Sequence, residues 1–212
     1  ERRMTDVEAL MWNLEKDPHL SSSFANITTF DVAPDVDRLR ARLEGAIASV
    51  PRLRQRVVPA LGRLAPPEWR DDPDFDLDYH VRRVALPAPG DFRALLDLAA
   101  GIVNAPFDRT RPLWEFVVIE GLDGDRAAMV QKLHHAITDG EGGIRLSEQF
   151  IDLARDATEP ITPGRPVASA PVVGLIDTAV ETFTHNLRRS LGVARRGAEG
   201  AAGLLTHPSR LS

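Results

Sequence analysis

Hydrophobic residues recur every three or four positions in three segments of the chain, the spacing of helices with one buried face. Each segment follows a residue that can cap a helix, namely Thr5, Asp35 and Asp91, and Glu8 completes a capping box with Thr5. The apolar positions are Val7, Leu10, Met11 and Leu14, then Val36, Leu39, Leu43, Ala46 and Ile47, then Phe92, Leu95, Leu96, Ala99, Ile102 and Val103. We expect the apolar positions of the second and third segments to be buried.

Other segments predict strands, because β-branched, aromatic and alternating apolar residues favour extended chain. These segments are residues 24–31, 56–64, 77–81, 114–120 and 126–133. Pro59 and Gly62 interrupt residues 56–64, which therefore predict a short pair of edge strands. Residues 121–125 contain two glycines between the last two segments and predict a hairpin.

Helices and strands are mixed here without a strict strand–helix–strand rhythm. The pattern predicts an α+β domain with a layered mixed sheet over residues 4–155. Residues 156–171 contain Pro160, Pro163, Pro166 and Pro171, which indicates a linker. Residues 172–206 follow as a predicted amphipathic, basic helical segment.

The predicted helix at 172–206 has an apolar stripe with arginines on its flanks and back. The stripe is Ile176, Val180, Phe183, Leu187, Leu191, Ala194 and Ala198, and the arginines are Arg188, Arg189, Arg195 and Arg196. Two interpretations stay open. The helix packs on a further part of the protein with its arginines in solvent, or it lies on a membrane surface, where cationic flanks attract anionic lipid.

Composition excludes several classes of protein. The 212 residues carry a net charge of −5, which argues against a general nucleic-acid binder. The absence of cysteine excludes disulfides and thiolate metal sites. No apolar run approaches the about 18 residues of a membrane span, and acidic residues interrupt the apolar positions near the N-terminus. We therefore expect a cytoplasmic protein without an export signal.

The candidate chemistry lies in the stretch HHAITDG, which contains His134, His135, Asp139 and Gly140. It follows a predicted strand, a position where loop residues often carry catalytic groups. A neutral imidazole is a general base suited to physiological pH. Adjacent side chains at a strand end point to opposite sides, so only one histidine can face a given cavity. Asp139 can clamp the loop, while Gly140 allows tight packing.

Two other interpretations of this stretch compete with a catalytic base. The histidines can be structural, with their hydrogen bonds satisfied in a core. They can also join Asp139 in a 2-His-1-carboxylate metal site of the kind that binds non-haem iron. Because adjacent histidines on extended backbone diverge, we expect no metal site.

The stretch HHAITDG resembles the signature of the CoA-dependent acyltransferase superfamily, which includes chloramphenicol acetyltransferase and peptide-synthetase condensation domains. Residues 104–115, with Pro112-Leu113-Trp114, and residues 118–122 are similar to the bacterial wax ester synthase/diacylglycerol acyltransferase family. Residues 6–30 and 51–56 also look like this family, so the resemblance covers about residues 5–155.

The resemblance implies a mechanism and a set of substrates. His135 would take the proton of an alcohol, and the alkoxide would attack the thioester of a long-chain acyl-CoA without a covalent acyl-enzyme. The acceptor would be a fatty alcohol or diacylglycerol. Acyl-CoA is then a substrate, and no covalently bound cofactor is implied. Since the products are insoluble in water, contact with lipid droplets is a further expectation for residues 172–206.

The resemblance also assigns supporting residues. His134, Asp139 and Gly140 would support the motif structurally, and Pro112, Leu113 and Trp114 are candidates for a substrate channel. A single tryptophan is more often a core anchor than a channel wall, and both interpretations of Trp114 stay open.

Family members contain two similar halves with the active site in a tunnel between them. This chain is therefore expected to carry the N-terminal half of a chloramphenicol acetyltransferase-like fold. The second half would be its partner, in the same polypeptide or as another chain. Two alternatives to the acyl-CoA enzyme stay open: a non-catalytic half that binds lipid or a partner, and a condensation-type acyltransferase that uses carrier-bound acyl groups.

Overall fold

The structure, a computed structural model, describes residues 3–17, 19–61, 65–138, 146–148 and 150. Asp139, Gly140, the predicted linker and the predicted helix at 172–206 lie outside the described residues. The chain divides into two compact units, the first comprising Glu1–Val58 and Glu68–Pro171, the second Pro59–Pro67 and Val172–Ser212. All the helices and strands below belong to the first unit.

Four α-helices lie in the described part of the chain. α1 spans Asp6–Leu14, α2 spans Val36–Ser49, the single turn α3 spans Leu77–His80, and α4 spans Phe92–Asn104. The three long helices begin after their predicted caps. The Thr5 hydroxyl accepts the Glu8 N–H, and the Glu8 carboxylate accepts the Thr5 N–H at 2.6 Å. Asp35 and Asp91 likewise accept backbone N–H groups of α2 and α4.

Six strands of the described residues form two sheets. β1 spans Ser23–Phe30, β2 Gln55–Val58, β3 Glu68–Asp71, β4 Val81–Ala85, β5 Trp114–Leu122 and β6 Arg126–His134. The larger sheet has the order β1-β6-β5-β4, and β4 is parallel to β5 while the other neighbours are antiparallel. β2 and β3 form a separate antiparallel pair. β5 and β6 are the predicted hairpin, and Gly124 in its turn has a φ of 70°.

Helices pack on both faces of the four-stranded sheet. On one face, Leu43 of α2 belongs to a buried cluster with Phe116 and Leu133 of the sheet. On the other face, Leu95 of α4 belongs to a cluster with Val130. A sheet covered on both faces buries both sides of its central strands, as the buried residues of β6 show. This architecture confirms the predicted α+β class with a layered mixed sheet.

Residues 77–80 contradict the predicted strand. They form α3, and β4 begins only at Val81. The Asp76 carboxylate accepts the Asp78 N–H at 2.9 Å and so caps the helical turn. A local hydrogen bond therefore prevails over the alternating pattern.

The predicted pairing of two strands within residues 56–64 is also wrong, because β2 pairs with a strand beyond this segment; residues 62–64 lie outside the described residues. The partner of β2 is β3, whose Trp69 is 1% exposed and lies opposite Val57. The stretch of β3 is mostly charged, so its pattern gives little sign of a strand. Burial of Trp69 in a cluster with Trp12 and Leu113 supplies the stabilisation that the local pattern lacks.

The buried face of α4 is narrower than predicted. Leu95 and Ala99 are 0% and 3% exposed, whereas Phe92 and Leu96 are 53% and 40% exposed. Successive helical residues are about 100° apart, so Leu96 points well away from Leu95. The sheet covers only one side of α4, and an apolar stripe wider than that side stays partly uncovered.

Candidate active site

The hairpin of β5 and β6 brings the two sequence motifs together. Trp114 lies opposite Leu133 in the register, and the carbonyl of Leu113 accepts the backbone N–H of His134 at 3.1 Å. The segment Pro112-Leu113-Trp114 therefore lies beside the two histidines at one end of the sheet. Antiparallel pairing produces this proximity without any long connection.

The two histidine side chains have different surroundings. His134 is fully buried, and its ring centroid lies 6.4 Å from the rings of both Trp12 and Phe107. The ring of His135 is partly buried and lies 4.5 Å from the ring of Phe24 in β1. This divergence confirms the expectation that adjacent residues at the strand end face opposite sides.

His134 is held by contacts at both ring nitrogens. Nδ1 accepts the Ala136 N–H at 2.9 Å, so the neutral ring carries its proton on Nε2. Nε2 lies 3.2 Å from Oε2 of Glu15, although the ring N–H is not well aligned on that oxygen. This second contact is therefore electrostatic and not a hydrogen bond. A buried ring with these neighbours fits the predicted supporting role of His134.

His135 begins the turn that follows β6. Its backbone N–H donates to the carbonyl of Ser22 at 2.8 Å, which joins the turn to the start of β1. The Ile137 N–H donates to the His134 carbonyl at 2.8 Å and closes the turn around His135. The backbone of His135 is thus fixed while its imidazole stays partly exposed. A fixed, accessible imidazole is the form that general-base catalysis needs.

The structure leaves other motif assignments untested. Asp139 and Gly140 lie outside the described residues, so the proposed loop clamp stays a prediction. Within the described part of the chain, no group of three histidine or carboxylate side chains is arranged to hold a metal ion. No helix among these residues is long and apolar enough to cross a membrane.

Trp114 lies in the core of the first unit. It is 1% exposed, and its indole N–H donates to the Leu53 carbonyl at 2.7 Å. Its ring stacks on His80 with centroids 4.5 Å apart. Pro112 and Leu113 are also buried. These contacts support the interpretation of Trp114 as a core anchor, and the channel role of the three residues stays a prediction.

His80, which the sequence pattern did not single out, contacts Trp114 at the start of β5. Its Nδ1–H donates to the Trp114 carbonyl at 2.7 Å, and its ring lies between those of Trp114 and Phe75. Nε2 is buried and has no hydrogen-bond partner among the described residues. Burial therefore lowers the pKa of His80, and the nearby Asp72 carboxylate does not offset this effect.

The lowered pKa of His80 makes the stability of the chain depend on pH. The unfolded state, in which His80 has its ordinary pKa near 6.5, binds more protons below that pH than the folded state. We expect no loss of the free energy of unfolding from His80 above pH 6.5. Below that pH, the free energy of unfolding should fall as the pH drops. His80 contributes at most about 1.4 kcal/mol per pH unit.

Urea unfolding between pH 8 and pH 5 tests this expectation. In His80→Asn the amide can still donate to the Trp114 carbonyl but carries no titrating group. The variant should lose less stability than the wild type over this range. Parallel pH profiles for the two proteins would refute the role of His80.

Sequence reasoning also missed the polar residues buried around His134. Lys132 is 0% exposed, donates to the Ala105 carbonyl at the end of α4, and lies 4.2 Å from the Phe107 ring centroid. Burial lowers its pKa. The only feature of the sequence that draws attention to Lys132 is the rarity of lysine, because Lys16 and Lys132 are the two lysines of the chain. Glu15 gave no signal, since its contact with His134 joins distant parts of the sequence.

A layered mixed sheet with HHAITDG at a strand end defines a domain with the CoA-dependent acyltransferase fold. The family model described as the wax ester synthase/diacylglycerol acyltransferase catalytic domain matches residues 4–208. The chain belongs to this family. The family resemblance expected from the two motifs is therefore confirmed.

Individual relatives agree with this assignment. A Mycobacterium tuberculosis protein named as a diacylglycerol O-acyltransferase is 44% identical over 161 residues, which cover 76% of this chain and 33% of that protein. The wax ester synthase/diacylglycerol acyltransferase from Marinobacter aquaeolei VT8 matches with a TM-score of 0.61 and 26% identity, over 91% of this chain and 46% of that one. The chain thus spans between a third and a half of these two relatives.

The fold extends to condensation domains. The starter condensation domain of rhizomide synthetase, a mutant solved in complex with C8-CoA, matches with a TM-score of 0.58 and 15% identity. The match covers 70% of this chain and 34% of that one. At this identity the likeness concerns the fold, which confirms the predicted acyltransferase architecture.

Proposed function

We propose that this chain is the histidine-bearing half of an O-acyltransferase that moves a long-chain acyl group from acyl-CoA to a fatty alcohol or diacylglycerol. The observation that carries the proposal is the placement of His135, directly after β6 in a chain of the wax ester synthase/diacylglycerol acyltransferase family. The names of the mycobacterial and Marinobacter relatives support these substrates.

In the proposed reaction His135 acts as general base. Its unprotonated ring nitrogen accepts the hydroxyl proton of the alcohol while the alcohol oxygen bonds to the thioester carbonyl carbon. The resulting tetrahedral oxyanion collapses, the carbon–sulfur bond breaks, and the protonated His135 returns its proton to the thiolate of coenzyme A. The products are an ester and free coenzyme A, and the protein ends unchanged.

The remaining residues have supporting roles in this proposal. His134 holds the turn from its buried side through Ala136 and Glu15. Asp139 and Gly140 would hold the loop beyond Thr138, and Pro112-Leu113-Trp114 support the same end of the sheet. A second half of the enzyme, in the same polypeptide or as another chain, would complete the substrate tunnel and exclude water.

An acyl-transfer assay tests the proposed function. The chain, alone and together with the polypeptide that supplies the second half, is incubated with palmitoyl-CoA and either 1-hexadecanol or dioleoylglycerol. Thiol release and ester formation are measured, with a reaction lacking acceptor as the control for hydrolysis. We expect ester only when both halves are present. Absence of ester with both halves and both acceptors would contradict the proposal, and transfer only from a carrier-bound acyl group would favour the condensation-type alternative.

We further propose that residues 172–206 hold the enzyme reversibly at an anionic membrane or lipid-droplet surface. The basis is the sequence alone: an apolar stripe flanked by Arg188, Arg189, Arg195 and Arg196. Each arginine near an anionic surface contributes about 1 kcal/mol. In sedimentation with phosphatidylserine vesicles at low salt, the wild type should pellet and a variant with all four arginines changed to glutamine should pellet less. Equal pelleting would leave this segment as a packing element.

A further inference from the structure

One partly buried carboxylate links α1 to the two-histidine motif. Glu15 follows α1 directly, and its side chain is 15% exposed. Its Oε1 accepts the Ser22 N–H at 2.7 Å, and its Oε2 lies 3.2 Å from His134 Nε2. Glu15 therefore contacts both the segment that precedes β1 and the end of β6.

Ser22 extends this link to His135. The same residue whose N–H donates to Glu15 accepts, through its carbonyl, the backbone N–H of His135 at 2.8 Å. On the other route, the His134 ring that faces Glu15 is tied through Nδ1 to the Ala136 N–H. The residues on either side of His135 and its own backbone are thus held by contacts that lead to Glu15.

The surroundings favour the ionised form of Glu15. Burial raises the pKa of this carboxyl, but the contact with His134 and the hydrogen bond from Ser22 outweigh burial, so the pKa lies below its ordinary value. The positive charge of Arg109, whose guanidinium lies 3.4 Å from the Trp12 ring centroid, also lowers the pKa of Glu15. The Glu15 carboxylate is partly buried, accepts the Ser22 N–H and lies close to the His134 ring, and these contacts favour one position for it.

We propose that Glu15 is a positioning residue for His135, an inference that rests on the acyl transfer proposed above. Glu15 does not touch the reacting atoms. It fixes the Ser22 carbonyl and the His134 ring, and these fix the backbone from which the His135 side chain projects. Displacement of a catalytic group by about 1 Å can lower a rate about 100-fold.

Three variants separate positioning from a general effect on the fold. Glu15→Ala removes both contacts, Glu15→Gln keeps an oxygen for the Ser22 N–H, and Glu44→Ala removes an exposed carboxylate of α2 as the matched control. In the assay with both halves present, we expect Glu15→Ala to lower kcat by about 10- to 100-fold. The KM for palmitoyl-CoA should change by less than about twofold, because Glu15 does not contact the substrate. Glu15→Gln should recover part of the lost kcat, and Glu44→Ala should match the wild type.

Nitrogen NMR of the histidine rings gives a readout that does not depend on activity. With the chain labelled with ¹⁵N-histidine, the wild type should show His134 as the neutral tautomer with its proton on Nε2. Glu15→Ala should shift the ring signals of both His134 and His135. Glu44→Ala should leave both sets of signals in place.

The two measurements keep this inference separate from the proposed function. If the wild type transfers acyl groups and Glu15→Ala retains its kcat, the positioning role is overturned while the proposed function stands. If the wild type makes no ester, the proposed function fails, and unchanged His135 ring signals in Glu15→Ala also overturn the positioning role. If circular dichroism shows that Glu15→Ala does not fold, Glu15→Gln replaces it in both measurements. A wild-type kcat and unchanged His135 signals in Glu15→Gln then overturn the inference.

Discussion

Acyl transfer should fall by about 100- to 10,000-fold when His135 is replaced with alanine, the range that a general base contributes. The imidazole is the group that accepts the alcohol proton in the proposed reaction, and the alanine side chain cannot replace it. The fold should persist, because the ring is only partly buried and its backbone hydrogen bond to Ser22 does not need the side chain. Ester formation from palmitoyl-CoA and the melting temperature are the two measurements.

His19→Ala is the matched control for this variant. His19 is exposed in the turn after α1, and its described hydrogen bond uses its backbone N–H, so removal of its ring should leave transfer and stability unchanged. A folded His135→Ala protein that makes ester at the wild-type rate would disprove the assignment of His135 as the base.

Replacing Trp114 with alanine should reduce the free energy of unfolding by about 3–5 kcal/mol, the usual effect of deleting a buried aromatic side chain. The indole fills the core beside His80 and Phe116, and its N–H satisfies the Leu53 carbonyl. Trp114→Phe keeps most of the apolar volume but removes that donor. We expect it to reduce stability by about 1–3 kcal/mol, because the buried carbonyl then loses its partner. Urea unfolding followed by circular dichroism measures both effects.

The same pair of variants separates the two interpretations of Trp114. A core anchor predicts that stability falls while the preference among acyl-CoA chain lengths stays the same in any variant that remains folded. A channel wall predicts the opposite, a changed chain-length preference with little loss of stability. Val103→Ala on α4 is a suitable control, because its partly exposed side chain lies outside the cluster that contains Trp114.

The exposed apolar residues of α4 bear on the expectation that a second half of the protein covers this domain. Phe92 and Leu96 are uncovered in the described part of the chain, and the relatives named above are two to three times as long as the matched region. Scattered exposed apolar residues are normal on protein surfaces. The assay with and without the second half is therefore the decisive test of that partner.

Features that depend on neighbours within a few residues could be predicted from the amino-acid sequence. The Thr5–Glu8 capping box, the caps at Asp35 and Asp91 and the β5–β6 hairpin all form as predicted. The opposite directions of His134 and His135 follow from their adjacency at a strand end, and the two motifs were enough to indicate the family. These features rest on backbone geometry and on hydrogen bonds between positions close in sequence, so a single stretch contains the information.

Which apolar and polar groups are buried, and which groups they contact, depends on the folded chain as a whole. Nothing near Trp69 in sequence shows that its charged segment pairs with β2, and nothing near Glu15 shows that its carboxylate reaches His134. His80 in α3 likewise acquires its stacking partner from Trp114 in β5, and its burial in the folded chain lowers its pKa. Burial and ionic contacts depend on groups that the whole chain brings together. Their effects on stability and on pKa values depend on the removal of water from both partners.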